Sequence, residues 1–289
     1  MIKIEHVVLA SPEQMEFIIE GMRNPMNSWE NSDSHLCSED SCDICCYKNA
    51  TFACSSVDIN PIDSDYMVGK NDHDLMQRLS NAGTDHRKFM RMMPVYVRIT
   101  APLYWWKEFD TYKVGTVANS CSTMHKIQAK EFTLDDFSTD ELYRVDQEMD
   151  DYIEANEGKN RLACVTPIHL MNEVIDTLNY YRRHWQICEE ALKSNKLYGA
   201  NPEEQRQRIK EDQKKYWWQM IQLLPSSYNQ TRNVMVNYET LANIYKSRKD
   251  HKLDEWRELC KWIKELPYSE LIIGDKEIKK SNDKEEKYV

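Results

Sequence analysis

The sequence contains few glycines and no long apolar run. Seven of its 289 residues are Gly and 30% are charged, a combination that leaves few sites for positive φ and favours helix. No window approaches the ~18 consecutive apolar residues of a membrane-spanning helix. The opening Met1-Ile-Lys-Ile-Glu-His lacks the layout of a secretory signal peptide. We therefore expect no membrane partner and a cytoplasmic location.

The chain also has fewer basic than acidic residues. The chain has 38 Lys and Arg against 48 Asp and Glu, a formal net charge of −10. Proteins that bind duplex nucleic acid normally present a basic face to the phosphates. The charge balance argues against duplex nucleic acid as a partner, but it leaves individual phosphate pockets open.

The cysteines are unevenly distributed. Five of the nine fall between residues 37 and 54. Cys42 and Cys45 are spaced like the close ligand pair of a zinc site, so the candidate ligands are Cys37, Cys42, Cys45 and Cys54. The alternative interpretation is a reduced, Cys-rich loop. The remaining cysteines are scattered singly, which is typical of reduced thiols in a cytosolic protein.

Apolar periodicity predicts the main elements. Helices are expected over residues 12–22 and 71–83, a strand over 95–100, and a helix from Pro102 to Phe109. After Pro167 the pattern is helical almost to the end, and one of these helices is expected to carry Val234, Leu241, Ile244 and Tyr245. The predicted class is α/β (α+β), with a central mixed or antiparallel sheet flanked by helices and a helix-rich C-terminal half.

We expect one domain over residues 1–270. Within it, residues 30–65 have no sustained period and are interpreted as a Cys-rich insertion, and residues 130–162 as an acidic insertion. The Lys/Glu-rich residues 271–289 are interpreted as a charged tail.

Three polar segments contain residue types suited to binding. His86, Arg87, Lys88 and Arg91 can reach an anion, or can form a solvated basic turn. The polar run 119–125 is either a surface turn or the wall of a pocket, because buried polar groups need hydrogen-bond partners. Asn237 and Arg248 fall on one stripe of a predicted helix, which suits a planar polar ligand with an anionic group or an ordinary amphipathic helix.

The sequence resembles the flavin-dependent thymidylate synthases. In that family a short helix ending in Gly leads to a strand, then Ala-Pro, then a further helix. The same order is found here in Leu75 to Gly83, Val95 to Thr100, Ala101-Pro102 and the helix that follows. A later family block is Leu-Pro, Asn-x-Arg, a helical Asn or His, and Leu-Arg. Its counterparts here are Leu224-Pro225, Asn237, Asn243 and Arg248.

Two departures from the family pattern affect phosphate binding. Thr111-Tyr112-Lys113 stand where the family has Arg-His-Arg, and Glu239 replaces the Arg of Asn-x-Arg. One cation thus replaces two planar guanidinium groups that bind phosphate. Either the binding mode is rebuilt, with His86, Arg91 or Arg232 supplying charge, or the chain is a fold relative with another substrate.

The resemblance implies reductive methylation of dUMP or a related pyrimidine nucleotide. The implied cofactors are FAD, NADPH as reductant and methylene-tetrahydrofolate as one-carbon donor, in a homotetramer. The residues expected to bind the flavin are His86, Arg91, Asn237 and Asn243. Those expected to bind the nucleotide are Tyr112, Lys113, Asn119, Ser120 and Arg248. The residues expected to take part in catalysis are Ser122 and Arg248. The alternative is a non-catalytic nucleotide-binding or interaction protein on the same scaffold.

Overall fold

The computed structural model describes residues 2–36, 66–142, 166–194 and 201–274, and in these residues the chain has the predicted α/β class. The strands are β1 (Lys3–Val8), β2 (His35–Leu36), β3 (Tyr66–Met67), β4 (Pro94–Pro102), β5 (Thr116–Ser120) and β6 (Asn229–Asn237). The helices are α1 (Pro12–Arg23), α2 (Lys70–Asn81), α3 (Leu103–Phe109), α4 (Thr123–Lys126), α5 (Pro167–Lys193), α6 (Pro202–Leu223), α7 (Tyr238–Arg248), α8 (Asp254–Glu265) and α9 (Glu270–Ile273).

In the described residues the strands form a four-stranded sheet in the order β1-β4-β6-β5 and a separate β2–β3 pair. The amide of Leu103 donates to the carbonyl of Tyr228 at one end of β4, and the amide of Tyr238 donates to the carbonyl of Met93 at the other end. These contacts make β4 and β6 antiparallel. The prediction of a central mixed or antiparallel sheet is therefore confirmed.

The chain divides into two compact units. One contains Thr100–Glu108 and Ser120–Thr231, and the other contains Ile2–Ile99, Phe109–Asn119 and Arg232–Val289. The single domain over 1–270 and its two insertions stay predictions, since residues 37–65 and 143–165 lie outside the described residues. Of the predicted tail, Leu271 and Ile272 are buried within α9, so packed structure extends beyond residue 270.

The first unit is built around the two long helices α5 and α6. Each begins at a capping side chain followed by proline, Thr166 before Pro167 and Asn201 before Pro202. One cluster of buried apolar side chains fills the space beside these helices; its members are Ile127, Phe132, Phe137, Ile175, Leu178 and Met220.

In the second unit, α1 begins as the sequence predicts. Ser11 accepts from the amide of Gln14 at 3.3 Å, and the Gln14 side chain accepts from the amide of Ser11 at 2.9 Å, which completes a capping box before Pro12. The predicted helices over 12–22 and 71–83 and the predicted strand over 95–100 are all confirmed.

The predicted helix carrying Val234 is wrong at its start, because residues 229–237 form strand β6. Val234 and Val236 are both buried, and the residues beside them are more exposed, which is the period of a strand. Polar residues dominate this segment, so pairing with β4 decides its conformation more than local propensity does. The helix begins only at Tyr238, and Asn237 is its N-cap.

A buried carboxylate joins α2 to the segment before β2. Asp72 is fully buried and accepts from Arg23 Nε at 2.5 Å, from Ser32 Oγ at 2.7 Å and from Ser34 Oγ at 2.6 Å. In return, Asp33 caps α2 by accepting from the amide of Asp72 at 3.1 Å. A Cβ at Gly69 would lie 2.2 Å from the Asp33 side chain, so the position of Asp33 at the start of α2 requires glycine at residue 69.

None of the helices in the four described stretches is long and apolar enough to cross a membrane.

Asp72→Ala should destabilise the protein strongly. It leaves the guanidinium of Arg23, which is 5% exposed, without its charged partner, and loss of one member of a buried ion pair costs about 3–5 kcal/mol. Chemical denaturation measures the free energy of unfolding. Asp74→Ala, an exposed position on the same helix, is the matched control. Equal stability of the two variants would contradict the role given to Asp72.

Stability should also depend on pH through His73. Its Nε2 lies 2.6 Å from Glu270 Oε1, and this hydrogen bond raises the pKa of the imidazole above its ordinary 6.5, although burial opposes the shift. The stabilisation is complete below about pH 6.5 and is lost as the pH rises through the folded-state pKa.

As the pH rises from about 6 through the folded-state pKa of His73, the wild type should lose more unfolding free energy than Glu270→Gln does. Urea unfolding across this range measures the difference. If the unfolding free energy of the two proteins changed with pH in the same way, the His73–Glu270 pair would be excluded as the source of the pH dependence.

Candidate functional site

Arg248 and Tyr112, both assigned to the nucleotide from sequence, are in contact. Arg248 Nε donates to the Tyr112 hydroxyl at 3.0 Å. The guanidinium carbon of Arg248 lies 4.7 Å from the ring centroid of Trp256, which is fully buried. The tyrosine and tryptophan rings meet edge to face at 6.0 Å. The guanidinium is thus held by a hydroxyl and by an aromatic face.

His251 adds a third neighbour to Arg248. Arg248 Nη1 lies 2.9 Å from His251 Nε2, and the amide of Leu253 lies 3.2 Å from Nδ1. A neutral imidazole accepts at one nitrogen only, so the arginine and the backbone amide compete for this ring.

The turn that carries Lys113 packs closely on the start of α7. Thr240 Oγ1 donates to the carbonyl of Val114 at 3.1 Å. Gly115 has a φ of +77°, and a Cβ there would lie 2.6 Å from Asn237 Nδ2. Lys113 itself is exposed. The close approach therefore fixes the backbone of the turn and leaves the lysine side chain in solvent.

The side chain of Asn237 caps the start of α7. Its side-chain oxygen accepts from the amide of Thr240 at 2.9 Å and lies 3.0 Å from the Thr240 hydroxyl. The expectation that Asn237 and Arg248 share a helical stripe is wrong, because Asn237 precedes the helix as its N-cap. Its assignment to the flavin stays a prediction.

A second cluster gathers residues assigned to the flavin. Glu239 is 6% exposed, lies 3.4 Å from Arg87 Nε and forms a short hydrogen bond with Arg91 Nε. Arg87 Nη2 donates to Asn243 Oδ1 at 3.0 Å. His86, just before this cluster in sequence, is exposed. The structure thus brings Arg91 and Asn243 into one cluster, with Arg87 between them and Glu239 compensating one of two positive charges.

Ser120 and Ser122 belong to the other unit. Ser122 is exposed and caps the short helix α4, accepting from the amide of His125 at 3.1 Å. A cavity of about 340 Å³ in this unit is lined by residues that include Ser122, Cys121 and Lys130. Lys130 Nζ lies 2.5 Å from Asp136 Oδ1, so its charge is compensated. The catalytic assignment of Ser122 stays a prediction.

Sequence reasoning did not assign Trp256 or Arg87 to a site. The spacing from Arg248 to Trp256 crosses a helix break, so no periodic signal links them. Arg87 was noted in its basic segment, but its contact with Asn243 depends on packing between distant parts of the chain.

The predicted zinc ligands Cys37, Cys42, Cys45 and Cys54 lie outside the described residues. Among the residues that the structure does describe, no group of three or more His, Cys, Asp or Glu side chains is arranged to hold a metal ion.

No family model and no curated protein matches the sequence. Among solved structures, two of thymidylate synthase X (ThyX) from Helicobacter pylori, both with FAD and dUMP, are similar to this chain. The first is 12% identical to this chain, and the match covers 93% of this chain and 94% of that protein. The second is 14% identical, and the match covers 93% of this chain and 95% of that protein. Both have a TM-score of 0.46. Values this low assign neither a family nor an activity.

Replacing Glu239 should cost more stability than replacing Arg91. Glu239→Gln leaves a buried amide facing two guanidinium groups and should reduce the free energy of unfolding by about 1–3 kcal/mol. Arg91→Ala should cost less, because the Arg91 side chain is 49% exposed and water replaces its partner. Thermal and chemical unfolding test this order. A larger loss for Arg91→Ala would show that the cluster depends on the exposed arginine.

Proposed function

We propose that this chain is a flavin-dependent thymidylate synthase-like enzyme of the cytoplasm. The proposed reaction is reductive methylation of dUMP or a related pyrimidine nucleotide, with a folate one-carbon donor, reduced FAD and NADPH as reductant. The proposed assembly is a homotetramer. The basis is the order of motifs in the sequence together with the geometry around Arg248.

The contact between Tyr112 and Arg248 carries the proposal. The two residues are separated by 136 positions in sequence and come from the two segments that resemble the family. The sequence assigns both residues to the same ligand. A hydrogen bond of 3.0 Å between them supports a single site built from both segments.

Arg248 supplies the chemistry of this site. The guanidinium carbon lies 4.7 Å from the ring centroid of Trp256, so a nucleotide meets a donor group that is already positioned. Such a group binds a phosphate or a ring carbonyl and stabilises negative charge that develops on a pyrimidine ring. Tyr112 acts as a positioning residue through its hydroxyl.

The cluster around Arg87 fits one phosphate group of a flavin dinucleotide. Two guanidinium groups and one carboxylate leave a net charge of one, and Arg91 and Asn243 are exposed donors at its surface. When bound, the flavin supplies hydride for the reduction. The task of these residues is to bind and orient it.

Glu239 favours a second candidate, a non-catalytic nucleotide-binding protein. An acidic residue in contact with both Arg87 and Arg91 weakens the attraction of this cluster for the diphosphate of FAD. A chain of this kind retains the nucleotide site at Arg248 and binds no flavin.

Visible absorption with and without added FAD, followed by titration with dUMP, tests the proposal. A flavin spectrum that changes with dUMP supports the enzyme, and dUMP binding without flavin supports the second candidate. Absence of binding by both ligands would contradict both.

Arg248→Ala should weaken dUMP binding by about 1.5–3 kcal/mol, because it removes a charged hydrogen-bond donor. Isothermal titration calorimetry measures the affinity. Lys252→Ala, an exposed cation a few residues away, is the matched control and should change the affinity little. Unchanged affinity in Arg248→Ala would remove this residue from the site.

A further inference from the structure

A cavity in the second unit is lined by three tyrosines, Tyr66, Tyr238 and Tyr268. Its walls come from α1, β3, the start of α7 and the turn between α8 and α9, and its volume is about 300 Å³. The other described residues that line it are all Leu, Ala, Met or Pro, and none of them is charged. We call this space the tyrosine cavity.

The tyrosine cavity has little capacity for directional hydrogen bonds. The hydroxyl of Tyr238 donates to the carbonyl of Pro267 at 2.5 Å, and the hydroxyl of Tyr66 has the Ser34 side chain as its hydrogen-bond partner. Leu, Ala and Pro side chains have no donor or acceptor, and the Met thioether is only a weak acceptor. A ligand group that needs several hydrogen bonds therefore gains little from these walls.

Tyr268 is held in an unusual backbone conformation. Its φ is +55°, in the left-handed region that bulky residues rarely adopt. Backbone hydrogen bonds hold the turn: the amide of Ser269 donates to the carbonyl of Leu266 at 3.1 Å, and the amide of Leu271 donates to the carbonyl of Tyr268 at 3.0 Å. Strained residues of this kind are concentrated at ligand sites, and here the strain places an aromatic side chain in the wall of a cavity.

Acidic groups lie around the tyrosine cavity. Burial raises the pKa of Tyr66 to about 12, and the nearby carboxylates of Asp72 and Glu16 act in the same direction. Burial also raises the pKa of Tyr268 to about 12, with a contribution from Glu270. Both rings therefore stay neutral at physiological pH.

One of these carboxylates has no ion pair in the described part of the chain. Asp72 is paired with Arg23, and Glu270 with His73. Glu16, on α1, is exposed and forms no ion pair with any described residue. A cation near Tyr66 is therefore attracted by Glu16, and an anion is repelled.

We propose that the tyrosine cavity binds the trimethylammonium group of a small choline-like molecule. Aromatic rings attract such a cation through their quadrupole. The group has no N–H donor, so it needs none of the hydrogen bonds that the cavity lacks, and its methyl groups can pack against the apolar walls. The volume is at the lower end of the roughly 300–1,000 Å³ of ligand sites, which suits a small head group.

The tyrosine cavity shares no lining residue with the clusters around Arg248 and Arg87. The proposed ligand is also chemically different from a nucleotide, a flavin or a folate. The proposal therefore does not depend on the proposed function.

Calorimetric titration of the wild type with three matched ligands tests the proposal. Choline should bind with a dissociation constant of about 1 mM or below. The alcohol with a tert-butyl group in place of the trimethylammonium group has the same shape and no charge, and it should bind about tenfold more weakly or worse. Phosphocholine should also bind more weakly than choline, because its phosphate adds negative charge near Glu16.

Tyr268→Leu should weaken choline binding about fivefold or more, whereas Tyr268→Phe, which keeps the ring, should bind almost as well. Circular dichroism checks that both variants are folded. Glu16→Gln should weaken binding about twofold. Asp74→Asn is the matched control for charge, because Asp74 is an exposed carboxylate on α2 of the same unit, and it should leave the affinity unchanged.

Absence of saturable choline binding to the wild type would overturn the proposal. Equal affinities for choline and the neutral alcohol would also overturn it, since that result assigns the cavity to apolar groups. Tighter binding of phosphocholine than of choline would contradict a small cationic ligand and favour a lipid head group. Unchanged choline affinity in folded Tyr268→Leu would place the ligand elsewhere. The comparison of ligands on the wild type decides the proposal even if this variant does not fold.

Discussion

The junction at Asn237, where β6 becomes α7, is the constraint on which the second unit's polar clusters depend. The side chain of Asn237 completes the first turn of the helix, and Gly115 approaches it too closely for any larger residue. This contact fixes the direction of α7 relative to the turn that carries Tyr112 and Lys113. Glu239 then lies in the first turn of this eleven-residue helix, and Arg248 lies at its far end, about 14 Å further along the axis.

The two ends of α7 hold arginines in different ways. At its start, Glu239 contacts Arg87 and Arg91, and a carboxylate compensates charge while it fixes geometry. At its end, the Tyr112 hydroxyl and the Trp256 ring contact Arg248. A guanidinium held by a carboxylate has already lost part of its attraction for an external anion. The resemblance in sequence assigns the nucleotide to Arg248, at the C-terminal end of the helix.

The sequence predicts most helices because their signals are local. Ser11, Pro12 and Gln14 mark the start of α1 whatever surrounds them. Strand β6 was missed because its conformation depends on pairing with β4, a segment more than a hundred residues earlier, and because its polar residues resemble those of a helix face. The cap of α2 was also inaccessible to sequence reasoning, since Asp33 supplies it from a remote segment.

The candidate site shows the same division. Tyr112 and Arg248 could be predicted from the order of motifs, but Trp256 could not, because packing after a helix break brings it under the guanidinium. For Asn237, the sequence spacing predicts a position within a helix, but the residue caps the helix at its N-terminus. That role depends on the strand before it, which the sequence does not predict.

Burial separates the residues that maintain the fold from those available for binding. Asp72 and Glu239 are enclosed, and their charges must be paired for the chain to fold. Tyr96 and Arg98 are exposed, and water satisfies their polar groups. Substitution of exposed side chains usually changes stability by less than about 0.5 kcal/mol. A loss of ligand binding on substitution of an exposed side chain is therefore separable from a loss of structure, which cannot be said of the cluster around Glu239.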